Sequence, residues 1–258
     1  MISRIRAIFF RYLYELPSFD MMSGLFFWPI IDLLLWGLAM VWLQRQEHNP
    51  QLPQLILTAL VLFQVFLRGA VDLAYFMLLE CWGRNLIMIF ATPLRLFEWL
   101  IATLLLTLIK LLILLTVSSS AAYLLSGVNV FAVGTPFIFY TLSLLTSGWA
   151  LGMVIASIIL LMGQKISMLA WLAPGFFSPL SAVFYPVSSL PEWVQLISWS
   201  LPMTYIFESM RQQLTNRTFF LTDLTHNLLL NTLYFAAAAA IFKIAFERSR
   251  ARGLNRLE

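Results

Sequence analysis

Charged residues in this chain come in short groups separated by long apolar stretches, and the spacing of those groups predicts the elements. Between Met1 and Asp20 the apolar residues Ile2, Ile5, Phe9, Tyr12, Leu13 and Leu16 share one helical face, with Arg4, Arg11 and Glu15 opposite. That pattern predicts an interfacial helix over residues 1–20. Arg11 and Glu15 interrupt the apolar core that a cleaved signal peptide needs, and no small-residue cleavage site follows, so the segment is expected to stay on the protein.

The apolar runs beyond it come near or exceed the roughly 20 residues that cross a bilayer. They predict spans over about 25–43, 54–79, 97–125, 137–162, 166–184 and 228–246. Trp28 and Trp42 stand near the two ends of the first, where amphipathic rings prefer to sit, and the third is long enough to tilt. Residues 80–96 form a charged loop, and Gly163, Gln164 and Lys165 a tight connection. From 185 to 225 the pattern changes: Pro186, Pro191 and Pro202 separate short apolar pieces bearing Trp193, Ile197, Trp199, Phe207 and Met210. Such a stretch is too broken for a span and too apolar for a free loop, which predicts an outer helical segment at the interface or re-entering it. A basic tail covers 247–258. No repeat or low-complexity linker divides the chain, so residues 1–258 are expected to form one all-α transmembrane domain.

Composition agrees with lipid as the solvent: 61% of residues are hydrophobic, 11% are charged and the mean hydropathy is +0.86, against about a quarter charged in soluble domains. The net charge of +4 lies beside apolar segments, which suits membrane lipids and speaks against nucleic acid. With both termini in the cytoplasm, Arg4, Arg6, Arg11, Arg84, Arg95, Lys165, Lys243, Arg248, Arg250, Arg252 and Arg256 fall inside, leaving Arg45, Arg211 and Arg217 outside. The bias predicts that orientation and an even number of spans.

Four charges lie well inside predicted spans: Asp32, Arg68, Asp72 and Lys110. Each costs about 2.5–3.5 kcal/mol at the bilayer centre on insertion scales, so they should face protein or water. Arg68 and Asp72 are four apart and share a helix face, where they can neutralise one another; with Asp32 and Lys110 they form either a lock between helices or part of a substrate route. Trp36, Trp149 and Trp171 lie deeper than the interfacial tryptophans and are further candidates for a route. Nothing predicts catalysis or a metal. A phosphate-cradling loop needs Gly-Lys followed by Ser or Thr, and Lys110, Lys165 and Lys243 all lack that setting. His48 and His226 are isolated, and the lone Cys81 forms no intrachain disulfide.

The loop run ECWGRNLIMIFATPLRLFE, from Glu80 to Glu98, predicts a short amphipathic helix ended near Pro93 that can dock on a soluble partner. This loop, and the outer run SAVFYPVSSLPEWVQLISWSLPMTYIFESMRQQL from Ser181 to Leu214, resemble the permease subunits of ABC-2 type transporters. In the second, the spacing of Pro186, Pro191 and Pro202 with Glu208 and Arg211 is similar to that family's link between its last two spans. The resemblance implies a non-catalytic permease of the bacterial inner membrane that exports an amphipathic, lipid-linked or polysaccharide substrate. It further implies two copies of the permease and a separate ATPase carrying the ATP and magnesium. The loop then supplies an ATPase-coupling helix, with Arg84, Asn85, Leu86, Phe90, Pro93 and Arg95 as its residues. Tyr185, Pro186, Pro191, Trp193, Pro202, Glu208 and Arg211 become an outer gate. Two other classes remain open: an ATP-independent secondary transporter or channel, which should display inverted repeats, and a membrane-embedded transferase, which needs clustered polar residues.

Overall fold

The computed structural model describes residues 1–47, 51–83, 85, 95–216 and 221–251. Ten helices order the described chain: α1 (Ile2–Glu15), α2 (Phe19–Met22), α3 (Trp28–Glu47), α4 (Leu52–Trp82), α5 (Leu96–Ser126), α6 (Pro136–Met162), α7 (Leu169–Leu180), α8 (Glu192–Ser200), α9 (Pro202–Asn216) and α10 (Leu221–Ala251). A π-helical turn, Ser23–Phe27, joins α2 to α3. The chain is an all-α membrane protein. Five helical stretches among the described residues are long and apolar enough to cross a bilayer: Ser23–Leu43, Leu52–Trp82, Leu96–Ser126, Pro136–Ile166 and Thr222–Ala251.

The helices begin and end where their residues dictate. Pro53 and Pro136 lie in the first turns of α4 and α6, where a missing N–H is harmless. At the end of α5, Gly127 adopts φ 67° and its N–H closes on the Tyr123 carbonyl at 2.9 Å, the left-handed cap that glycine permits without a Cβ clash. The 31 residues of α4 and of α5 extend for about 46 Å at 1.5 Å per residue, more than the hydrocarbon thickness. Their ends can therefore reach the polar interface, and that is where Glu80 and Glu98 are used.

Helix α4 is the centre of the molecule, with Phe66, Leu73, Phe76 and Leu78 among its fully buried side chains. It meets α6 along a seam of small residues. A Cβ on Gly148 would stand 2.4 Å from the Phe66 carbonyl oxygen, and one on Gly152 would stand 2.8 Å from that of Ala70. In lipid, where apolar surface alone gives no preference for helix over solvent, such backbone approach is what dispersion needs to hold two helices together.

The expected span over 166–184 takes a different form. A 3-10 turn, Gly163–Ile166, is followed by α7, which has only 12 residues and contains Pro174 and Pro179. At about 18 Å, α7 does not by itself bridge the hydrocarbon layer. The chain nevertheless changes ends here. Gln164 donates to the Cys81 carbonyl at 3.1 Å, beside the 83–95 loop, whereas Ser209, just beyond the link, meets Tyr140 at the start of α6 with the hydroxyl oxygens 2.7 Å apart.

Candidate functional site

Four arrangements of polar side chains stand out in this apolar framework: a charged one within the bundle, one at each end, and one between α6 and α10. The inner one begins with a break in helix geometry. In the π-helical turn the Gly24 carbonyl would bond five residues ahead, to Pro29, which has no N–H to give. Arg68 of α4 donates to that carbonyl through one guanidinium nitrogen and to Asp72 Oδ1 through another, at 2.9 Å. Lys110 of α5 reaches the same Oδ1 at 2.6 Å, with its Nζ 5.3 Å from the Phe76 ring centre. Lys110 is 1% and Asp72 2% exposed, so this is a desolvated network in which each charge needs the others. Gln64, two turns away on α4, extends the bridge by donating to the Pro29 carbonyl at 3.1 Å and accepting from Ser118 of α5 at 2.7 Å.

Sequence spacing anticipated the Arg68–Asp72 pair; Lys110 was a candidate for the same lock, but nothing in the sequence named Asp72 as its partner. Asp32 stays outside the network and forms no hydrogen bond or ion pair among the described residues. It faces a cavity of about 680 Å³ whose lining also includes Trp28, Arg68, Asp72, Tyr75 and Trp171. Asp72 presents its second oxygen, Oδ2, with no partner. Of the other deep tryptophans, Trp36 stacks on Phe184 with ring centres 4.6 Å apart, and Trp149 buries an indole N–H without a partner.

At the loop end of the bundle, α1 is tied to both flanks of the 83–95 stretch. Tyr12 donates to Glu80 Oε1 at 2.6 Å, Arg11 pairs with Glu80 Oε2 at 2.7 Å, and Trp99 Nε1 donates to the Tyr12 hydroxyl at 2.8 Å. Arg4 lies 3.6 Å from Glu98, which also accepts the Arg95 backbone N–H at 2.9 Å and so caps α5. Burial, reinforced by the Glu80 charge, raises the Tyr12 phenol well above its ordinary value and keeps it a donor. Glu80 was expected to belong to the loop; α4 instead extends to Trp82 and encloses it, with Arg11 of α1 supplying the counter-charge. Of the expected coupling residues, Asn85 and Arg95 are described, whereas Arg84, Leu86, Phe90 and Pro93 lie outside the described residues.

At the opposite end, the predicted gate residues gather around the end of α7. Its prolines and its early stop leave carbonyls exposed, and the following segment meets them one by one. Tyr185 donates to the Pro179 carbonyl at 2.8 Å and Ser198 to that of Leu180 at 2.6 Å. Arg211 donates to those of Ala182 and Val183 at 2.8 and 3.1 Å. Glu208 accepts the Val187 N–H at 2.7 Å and pairs with Arg211 at 3.2 Å. Ala182 is held at φ 51°, a left-handed conformation uncommon for a residue with a Cβ. Irregular backbone at membrane depth is stable only when satisfied by protein in this way. Pro186 precedes the 3-10 turn Val187–Ser189, Pro191 stands just before α8 and Pro202 is the first residue of α9, while Trp193 stays exposed.

A fourth arrangement was missed in the sequence. Asn231 of α10 donates to Ser143 Oγ at 2.7 Å and accepts from Ser147 at 2.7 Å, and Asn227 donates to the Pro202 carbonyl at 2.6 Å. The signal was present: Ser143 and Ser147 are four apart, as are Asn227 and Asn231, so each pair occupies one face of an apolar helix.

A bundle of long apolar helices, with an amphipathic helix tied to one end and a broken segment at the other, is the architecture of a multi-pass membrane protein. The sequence model of the ABC-2 type transporter family matches residues 18–215, and the chain belongs to that family. Permeases of this kind generally work with a separate ATPase subunit. Among curated proteins, no sequence matches this one.

Proposed function

We propose that this chain is the membrane half of an exporter. In this reading it carries an amphipathic cargo outward across the bacterial inner membrane, driven by ATP that a separate subunit hydrolyses. Two copies of the chain enclose the route, both termini face the cytoplasm, and the chain crosses six times, with α7 and the satisfied link after it making the fifth crossing. ATP and magnesium belong to the partner, since no phosphate-cradling loop is encoded here.

The observation that supports this most is the double tie of α1 to Glu80 and Glu98. A force applied to the loop between them reaches α4, α5 and α1 together, so these elements would move as one body and pass the displacement to the ends of the bundle. The outer segment, fastened by Glu208 and Arg211, is the element that such a displacement would open. A channel or secondary transporter has no need of a loop braced on both flanks.

The test uses membrane vesicles containing the chain and its ATPase. Outward movement should require hydrolysable ATP, and Arg84→Glu combined with Arg95→Glu should abolish both assembly with the ATPase and coupled transport. Transport that continues with a non-hydrolysable analogue, or assembly and transport that survive the double charge reversal, would contradict the proposal.

A further inference from the structure

We infer that the cavity beside α4 binds an organic cation with an apolar aromatic body, and that Asp32 supplies its counter-charge. The inference rests on the exporter reading above and narrows the cargo it allows.

Of the four charged side chains that line the cavity, one is left without a counter-charge. Both cations of the network are engaged: Lys110 with Asp72 and the Phe76 ring, Arg68 with Asp72 and the Gly24 carbonyl. Asp72 is engaged too, its Oδ1 shared by both cations, whereas Asp32, half-buried, has neither hydrogen bond nor ion pair among the described residues. A carboxylate in a largely apolar membrane bundle without a counter-charge is costly. A ligand bearing an amine N–H and a positive charge answers it.

The remaining wall suits the rest of such a molecule. Trp28 and Trp171 present exposed indoles, and Tyr75 and Trp82 pack edge-to-face with ring centres 6.0 Å apart. Aromatic faces attract cations and stack on planar apolar bodies. The cavity, about 680 Å³, is within the range that holds drug-sized ligands. An anionic cargo fits poorly, because it would meet the unpaired Asp32 while both cations are already bonded.

The probe is ethidium, a planar cation with amine N–H groups, titrated by fluorescence polarisation into the full chain in nanodiscs of neutral phosphatidylcholine, with empty nanodiscs as the reference. Saturable binding is expected, quenching tryptophan emission. Asp32→Asn should weaken it at least tenfold and Trp171→Ala at least threefold, whereas Asp223→Asn, remote from the cavity, should leave it unchanged. Fluorescein, planar but anionic, should not compete. Binding that matches empty nanodiscs, as it would if lipid or a second copy of the chain filled the cavity, overturns the inference. So does undiminished binding to Asp32→Asn, or competition by fluorescein. Pull-down of the ATPase from the same preparation separates the two readings. If the ATPase assembles and ethidium does not bind, only the cargo class falls; if ethidium binds saturably without an ATPase, the coupling is wrong and the cavity assignment stands.

Discussion

Tyr12 and Glu80, 68 residues apart, share a 2.6 Å hydrogen bond that fastens the interfacial helix to the end of the central span. The bond is buried, with Tyr12 fully covered and Glu80 1% exposed, and Trp99 completes it by donating to the same hydroxyl. Tyr12→Phe removes the hydroxyl and leaves both Trp99 and one Glu80 oxygen unsatisfied. The expected loss is about 1–3 kcal/mol, read as a lower thermal midpoint of the full chain in nanodiscs and as faster proteolysis of α1. An unchanged α1 digestion rate would mean that apolar packing alone holds this helix.

The buried charge network makes an ordered prediction. Asp72→Asn leaves Arg68 and Lys110 without their shared counter-charge and should destabilise by about 3–5 kcal/mol. Lys110→Met leaves Asp72 still paired with Arg68, so its effect should be smaller. The double variant should be more stable than the sum of the two single effects implies, because the second change removes a charge that the first has stranded. Thermal unfolding of the four proteins in one detergent gives the cycle directly, and strict additivity would contradict the coupling.

Gly148 and Gly175 should respond oppositely to alanine. At Gly148 the new Cβ would collide with the α4 backbone, and no flexible side chain can give way. Gly148→Ala is expected to separate α4 from α6 and lose about 1–3 kcal/mol. At Gly175 nothing lies within 4 Å of the added atom, and alanine should gain about 0.5–1 kcal/mol from helix propensity. The two thermal midpoints, measured side by side, check the seam.

At the outer end, Ala182→Gly should stabilise slightly, by roughly 0.5–1 kcal/mol, because glycine adopts the observed positive φ freely. Arg211→Gln should do the reverse, freeing the Ala182 and Val183 carbonyls. The check is labelling of a cysteine placed at the exposed Ser188 by a membrane-impermeant maleimide: faster in the Arg211 variant, unchanged in the Ala182 variant.

These features differ in how far the sequence revealed them. Long apolar runs are local, and the helices at 25–43, 54–79, 97–125 and 137–162 were readable to within a few residues. So was the Arg68–Asp72 pair, because four-residue spacing on a helix settles it. The end of α7 was obscured because apolar composition outweighed Pro174 and Pro179, whose consequence depends on donors from Tyr185, Ser198 and Arg211. Lys110 joining Asp72, and Glu80 being paired with α1, follow from contacts 38 and 69 residues distant, which no local pattern encodes.

The central claim is that this permease is worked by an engine on another polypeptide. Its most direct measurement is ATP turnover by the chain purified from its native membrane, before and after stripping any bound subunits. The account predicts that a separate ATPase accompanies the chain, that turnover leaves with it, and that the stripped chain hydrolyses nothing. Steady hydrolysis by the stripped chain, or purification with no ATPase attached, would contradict it.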